Sequence, residues 1–293
     1  MITRVTSQMM TAASLRNLQG GLAGMANLQQ KAASQRAFTS PSEDPAAATA
    51  TMKLHSAIQR NDQYARNVDD GMAWTVTADN AISASHDLLT RARDLTLQGA
   101  NEGAMDELSR EAIAVELESL RDELLTLANT KYLGRSVFAG TTDGQAFTSG
   151  TYTHNGIPGG AVERRVADNL TIRVDVDGSE VFGSGASSVF ATIDNIVADL
   201  RAGVNVGARV GEIDTHRTAM LGVQGRTGVA QAQLERYASS LMADNVELES
   251  RRTEVEDVDA AEVLLELNAK NLVYEMSLSV AAKALPKSLM EYI

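Results

Sequence analysis

The 293-residue chain has no cysteine, few aromatic residues and only four prolines. The lack of cysteine excludes a disulfide framework and thiolate metal sites, and it fits either a cytosolic protein or one exported unfolded through a secretion channel. Aromatic residues make up 4% of the chain, so alanine, leucine, valine and methionine must supply most of the buried apolar surface. The prolines stand at positions 41, 45, 158 and 286, which leaves two long stretches without a residue that stops a helix.

Basic residues are also scarce relative to acidic ones. Lysine and arginine total 26 against 38 aspartates and glutamates, which gives a formal net charge of −12. No basic face can dominate such a chain, so nucleic acid is not an expected partner. No window supplies the run of about 18 apolar residues that a membrane helix needs. Arg4, Gln8 and Arg16 interrupt any signal-peptide core, so we expect no membrane insertion and, if the protein is exported, no cleaved signal.

Motifs for catalysis and cofactor binding are missing as well. The chain contains no G-x-S-x-G elbow, phosphate-binding P-loop or dinucleotide fingerprint. Its four histidines include no pair at ligand spacing, and Asp175-Val176-Asp177-Gly178 lacks the later ligands of a calcium loop. We therefore expect no enzyme activity, no cofactor and no metal.

An apolar heptad stripe at each end of the chain is its most informative positive feature. A helix with one apolar face cannot bury that face alone, so each stripe needs a partner. The simplest partners are the other terminus and neighbouring subunits. The core helices of an ordinary helical bundle show the same pattern, so that interpretation stays open. The residues that we predict to form the assembly interface are Leu15, Leu18, Leu22, Met25, Leu264, Leu267, Tyr274, Leu278 and Leu285.

A break follows the first terminal helix, which is predicted from about residue 5 to 35. We expect Pro41, Asp44 and Pro45 to form an interdomain turn, because two prolines so close together forbid a continuous helix. Ser42 or Asp44 can cap the next helix, and Pro45 suits its first position.

The middle of the chain alternates between long helices and one glycine-rich insert. Apolar periodicity predicts helices at about 46–98, 105–129 and 206–257, the first two forming an antiparallel hairpin. A short helix is predicted from Val189 to a stop at Gly203. The third long helix carries glycines at 222, 225 and 228, so we expect a bend or close packing there.

The insert, residues 141–185, is predicted to be rich in β-strand. Alternation over residues 170–176 is typical of a half-buried strand, and we expect it to end at an Asp177-Gly178 turn. A second strand pair is predicted around Asn155-Gly156.

These elements predict a mainly α fold with a small β-rich insert, in which the N- and C-terminal helices pair as a coiled coil. The acidic residues before the last helix are predicted to form a solvated face that opposes premature pairing; they are Glu254, Glu256, Asp257, Asp259 and Glu262. We expect three domains: residues 1–44 with 258–293 as a terminal coiled coil, 45–140 with 186–257 as a long-helix body, and 141–185 as an outer β-rich domain.

Several strings resemble the bacterial flagellin superfamily, and more closely its hook-associated protein 3 family. The strings are RDLTLQGAN at 93–101, LLTLANT at 124–130, GRSVFAG at 134–140, PSEDPAA at 41–47, EVEDVDAAE at 254–262 and SLMEYI at 288–293. The S-G-K-R string usual before the proline pair of that family is replaced by Ser34-Gln35-Arg36, without the glycine.

The resemblance implies a nested, flagellin-like architecture and an extracellular structural adaptor that joins the flagellar hook to the filament. It further implies hook-associated protein 1, flagellin and neighbouring copies as partners. Export in unfolded form, helped by a cytoplasmic chaperone that covers the C-terminal stripe, is also implied.

Three other interpretations remain open at this point. The chain could be flagellin, the filament subunit, although the proline pair and the last six residues argue against it. It could be a cytosolic coiled-coil scaffold, which would leave the β-rich insert and the family strings unexplained. A wall-cutting hydrolase would need convergent acidic residues, and the insert shows none at a recognisable spacing.

Overall fold

The computed structural model describes residues 7–101, 106–157 and 159–284 of the chain. The described chain is mainly helical with a small β-rich insert, which confirms the predicted fold class. The helices are α1 (Ser7–Ser34), α2 (Pro45–Gly99), α3 (Glu107–Ala128), α4 (Gly178–Phe182), α5 (Val189–Arg201), α6 (Val210–Glu256) and α7 (Ala260–Ala284). The strands are β1 (Lys131–Tyr132), β2 (Arg135–Ser136), β3 (Glu163–Ala167) and β4 (Leu170–Arg173).

Local capping explains where α2 begins and where α5 begins and ends. Asp44 Oδ1 accepts hydrogen bonds from the amides of Ala46 at 3.0 Å and Ala47 at 2.9 Å, and Pro45 takes the first helical position of α2. Ser188 caps α5, and Gly203, with φ of +68°, follows its end as predicted. At the starts of α2 and α5, short polar side chains thus satisfy amides that the helix itself leaves unpaired.

The helical hairpin is supported by an ion pair between its two arms. Arg91 on α2 contacts Glu116 on α3 at 2.7 Å, and both lie at similar distances from the connecting segment, as antiparallel helices require. Helix α6 is continuous, and an added Cβ at Gly222, Gly225 or Gly228 would meet nothing within 4 Å. The expectation of close packing at these glycines is therefore wrong for the single chain.

The β-rich insert differs from its predicted layout. β4 covers the first half of the predicted strand, but its antiparallel partner is β3, with Arg164 opposite Ile172. The strand pair predicted around Asn155-Gly156 is wrong, since the described part of that region contributes a single bridge between Phe147 and His154. The predicted Asp177-Gly178 turn is the start of α4, because Asp177 Oδ1 accepts from the Ser179 amide at 2.9 Å.

The chain forms two compact units: the body unit, residues 61–244, and the terminal unit, residues 1–60 with 245–293. The body unit is built around a continuous apolar core that includes the edge-to-face rings of Phe138, Phe147 and Phe182. Tyr152 belongs to the same core, and its hydroxyl donates to Asp194 at 2.7 Å. Burial, together with that hydrogen bond, raises the pKa of Tyr152 to about 12. The three predicted domains stay a prediction.

The described ranges also bear on membrane insertion and metal binding. No helix in these ranges is long and apolar enough to cross a bilayer. The same ranges contain no group of histidine, aspartate or glutamate side chains placed to hold a metal ion.

Candidate assembly interface

The terminal helices α1 and α7 pack against each other in the terminal unit. Arg36 pairs with Asp257 in an antiparallel bridge, and a Cβ on Gly21 would lie 3.5 Å from Tyr274 Cδ2. The two helices therefore run antiparallel, with the end of α1 beside the start of α7. The Tyr274 ring thus packs on α1 at Gly21 at a distance that would also leave room for a Cβ.

The predicted interface residues fall into two groups. Leu18, Met25, Leu267 and Tyr274 are half-buried, whereas a second group remains exposed: Leu15, Leu22, Leu264 and Leu278. Leu285 lies outside the described residues. The pairing of α1 with α7 thus covers only part of the two stripes.

Two buried residues of this seam were missed by the sequence analysis. Leu28 and Val263 are both buried; Leu28 lies three residues after Met25, and Val263 lies four residues before Leu267. Both positions are at helical spacing from a predicted residue, but Val263 adjoins the predicted Leu264, so periodicity alone does not choose between these two.

Helix α7 carries a further apolar surface beyond the predicted stripe. Leu265, Leu272, Val273, Met276 and Val280 are all exposed on it. A soluble monomer rarely exposes a contiguous apolar surface without an interaction that covers it. Helix α7 therefore has apolar surface left for a second packing partner besides α1.

A tight backbone junction connects the ends of α1 and α6. Gln35 adopts φ of +56°, the left-handed conformation that glycine usually supplies after a helix. Its carbonyl accepts from the Val258 amide at 3.1 Å, and the Ala37 amide donates to the Glu256 carbonyl at 2.8 Å. Where the resembling family has a glycine, this chain thus has Gln35 in a backbone conformation that glycine adopts with little strain.

Glu256 lies at the centre of this junction. Its side chain is 7% exposed, and its carboxylate contacts Arg36 and His55, each at 3.2 Å. A buried carboxylate needs such partners, because an unpaired charge away from water is costly. The prediction of a solvated acidic face is therefore wrong for Glu256, which ties the start of the chain to the end of α6.

The predicted interdomain turn is closed by its own side chains. Glu43 accepts hydrogen bonds from the Thr39 hydroxyl at 2.9 Å and from the Thr39 amide at 3.2 Å. These bonds hold the pKa of the Glu43 carboxyl below its ordinary value. Pro41 is exposed, and Asp44 caps α2, so the turn sets a fixed start for that helix.

The terminal unit is suited to holding α1 and α7 together while leaving part of their apolar surface exposed. The contacts of the terminal unit are apolar seams, caps and one buried ion-pair cluster. The apolar side chains that they leave exposed are leucines, valines and methionines, most of them on α1 and α7.

Comparison with known proteins places this geometry in a family. Residues 5–143 match the model of the bacterial flagellin N-terminal helical region, and residues 210–293 match that of the C-terminal helical region. Flagellin of Bacillus subtilis is 25% identical, over 83% of each chain. Flagellar hook-associated protein 3 of Salmonella typhimurium is 26% identical, over 69% of this chain and 68% of that protein.

Solved structures show the same fold. A putative flagellar hook-associated protein from Vibrio parahaemolyticus has a TM-score of 0.67 at 23% identity and covers 73% of this chain and 100% of its own. Flagellar hook-associated protein 3 from Legionella pneumophila has a TM-score of 0.62 at 15% identity, covering 70% and 98%. Since the two flagellin regions match both halves of the helical scaffold, this chain belongs to the bacterial flagellin family of structural flagellar proteins and has the fold of its hook-associated members.

Proposed function

We propose that the protein is a structural adaptor at the hook-filament junction of the bacterial flagellum. In this role it joins the hook, through hook-associated protein 1, to the flagellin filament. The observation that carries the proposal is the surface of the terminal pair, where leucines at both ends of the chain stay exposed after α1 and α7 have paired. Neighbouring copies, hook-associated protein 1 and flagellin supply the missing partners.

The sequence strings favour the junction over the filament. The proline pair at 41 and 45 and the string SLMEYI at 288–293 resemble the hook-associated type more than filament subunits. The filament subunit remains a second candidate, because Bacillus subtilis flagellin aligns with 83% of this chain. A catalytic role has no support from any arrangement of side chains that the structure describes.

We also propose how the chain is exported and how its exposed face on α7 is protected before export. A chain without cysteine passes unfolded through a narrow channel without disulfide rearrangement. The exposed face of α7 would aggregate in the cytoplasm unless it were covered, which suits a cytoplasmic export chaperone. We propose the flagellar type III apparatus as the route and the flagellum outside the cell as the destination.

Deletion of the gene in its host tests the proposal directly. Electron microscopy should show hooks without filaments, and an immunoblot of the medium should show flagellin shed from the cells. If flagellin itself disappears, the chain is the filament subunit, and the junction role is wrong.

Substitution in the terminal pair tests which surface performs the role. Leu22→Arg or Leu278→Arg should block filament attachment, because a charged group would enter an apolar contact between subunits. Both side chains are exposed in the single chain, so its thermal unfolding should stay unchanged. Leu22→Met and Leu278→Met keep the apolar surface and should restore filaments. Filaments on cells that carry either arginine variant would exclude this surface.

A further inference from the structure

The tip of the first β-hairpin carries an exposed leucine in a strained conformation. Leu133 has φ of +47° and Gly134 φ of +83°, in the two-residue turn between β1 and β2. Asparagine or glycine is the usual first residue of such a turn, and leucine is strongly disfavoured there. Leu133 is also 81% exposed, the highest value among the described large apolar side chains. The single chain thus combines an unfavourable backbone conformation at this position with an apolar side chain left in water.

The hairpin beneath this tip is held in place. The Tyr132 ring lies edge-on to Trp74 with 5.8 Å between ring centroids, and the Arg135 guanidinium lies 5.7 Å from the Trp74 centroid. Trp74 itself is 1% exposed in α2. The leucine therefore projects from a rigid support and cannot fold back without breaking these aromatic contacts.

A groove of matching character lies on the same body unit. Its volume is about 250 Å³, and its apolar lining includes Val174, Val176, Val223 and Ala230. This volume falls below the roughly 300–1,000 Å³ typical of small-molecule sites and suits a single inserted side chain. Charged residues line it as well, among them two ion pairs, Arg173 with Asp175 and Arg226 with Glu180.

The tip and the groove lie at the same height on α2 but on different sides of it. The hairpin rests on Trp74, whereas Thr75, the next residue, lines the groove. Successive residues of an α-helix differ by about 100° in direction and only 1.5 Å in height. Two complementary patches at one level and on different sides produce a head-to-tail contact, and such contacts close into rings when the rotation fits.

We propose that Leu133 of one copy inserts into the groove of a neighbouring copy, as a lateral contact between body units. Charge supports this pairing, because Lys131 and Arg135 flank the tip, whereas the carboxylates that line the groove outnumber its guanidinium groups by three to two: Asp175, Asp177 and Glu180 against Arg173 and Arg226. The inference rests on the proposed function in that it requires neighbouring copies within one assembly. It adds a contact that lies outside the terminal helices.

The absence of cysteine allows a clean cross-linking test. Cells whose own gene is deleted would co-express two differently tagged copies, Leu133→Cys and Ala230→Cys, and flagellar structures would be treated with a short bismaleimide. The expected product is a dimer that carries both tags, with no dimer in cells that express either variant alone. Leu108→Cys is the matched control, an exposed leucine on α3 that should give no dimer with Ala230→Cys.

Each other outcome overturns the inference. A dimer of two Leu133→Cys copies would show a symmetric contact between tips, and a link from Leu133→Cys to another flagellar protein would show a different occupant. Attached filaments without the mixed dimer would remove this contact while leaving the junction role intact. Loss of the junction role is read separately, from the gene deletion.

Leu133→Asn separates contact from folding. Asparagine suits this turn, so the melting temperature should rise or stay equal. The cross-link between Lys131→Cys on one copy and Ala230→Cys on the other is then measured with and without Leu133→Asn on the first copy. Its yield should fall roughly tenfold when the leucine is replaced, since a buried leucine contributes at least that factor. An unchanged yield would exclude the leucine as the inserted group.

Discussion

The body unit and the terminal unit of this one chain bury very different amounts of apolar side chain. The body unit has a continuous core with fully buried rings of Trp74, Phe138, Phe147, Phe182 and Phe190. In the terminal unit, the buried apolar residues among those described are Leu28, Ala48, Ile58 and Val263. Since tertiary burial stabilises helices more than propensity does, the body unit has what it needs to fold alone and the terminal unit does not.

This contrast indicates where each unit obtains its stability. The body unit gains it within the chain, from aromatic side chains of the insert and of α5 packed on the long helices. The terminal unit is held in the single chain by the partly buried seam between α1 and α7, by caps and by the ion pairs of Glu256, and it leaves leucines exposed that we propose contact other subunits. Folding of the terminal helices is therefore expected to be completed by assembly.

The sharpest test of this contrast is a cavity in the body core. Phe147 contacts the rings of Phe182 and Phe190, so Phe147→Ala should lower the free energy of unfolding by about 3–5 kcal/mol. Urea unfolding followed by circular dichroism measures it. Leu272→Ala on α7 is the counterpart, and its cost in the isolated chain should stay within about 0.5 kcal/mol because Leu272 is exposed. Equal costs would remove the distinction between the units.

A smaller effect is expected from the ion-pair cluster of the terminal unit. Glu256→Gln removes the charge that faces Arg36 and His55 and should cost about 1–2 kcal/mol, because Arg36 remains largely in water. Hydrogen exchange of the Ala37 and Val258 amides, which bond across this junction, reports the local opening.

The control for this variant is Glu254→Gln, two residues away and exposed. It should leave the exchange rates of both amides unchanged. If it accelerates them as much as Glu256→Gln does, net charge and not the buried cluster holds the junction.

The smallest expected effect is a gain at the end of α1. Gln35→Gly should stabilise the junction by about 0.5–1 kcal/mol, since glycine adopts the left-handed conformation without strain. The same two amides should exchange more slowly. Gln35→Ala keeps a Cβ and should give no such gain, so a gain with alanine would assign the effect to the lost side chain.

Helix boundaries were predicted well from the sequence, and short strands poorly. Asp44 and Pro45 predicted the start of α2, and Gly203 predicted the end of α5, because capping chemistry is local. β3 was missed because its start, Glu163-Arg164-Arg165, is charged and carries no apolar alternation. The Arg164 guanidinium lies over the Trp74 ring, a contact that no local pattern announces.

The candidate assembly interface was also predicted only in part from the sequence. Apolar periodicity located the two stripes, but it could not distinguish the half-buried Leu18 from the exposed Leu22, which belong to the same heptad pattern. That choice depends on the rotation of α1 against α7, a property of the packed pair. The left-handed backbone conformations of Gln35 and Leu133 could likewise not be predicted, because the φ angle of a residue other than glycine depends on the packed structure around it.

Periodicity and capping act over a few residues, so the amino-acid sequence was enough to establish the mainly helical class, the positions of the terminal stripes and the start of the long helices. Three features came from the folded chain instead: which stripe residues stay exposed, how Glu256 is buried beside Arg36, and that Leu133 stands on a rigid support over Trp74. These features join residues that are distant along the chain, and their free energy depends on the packing of whole elements and not on the neighbours of any one residue.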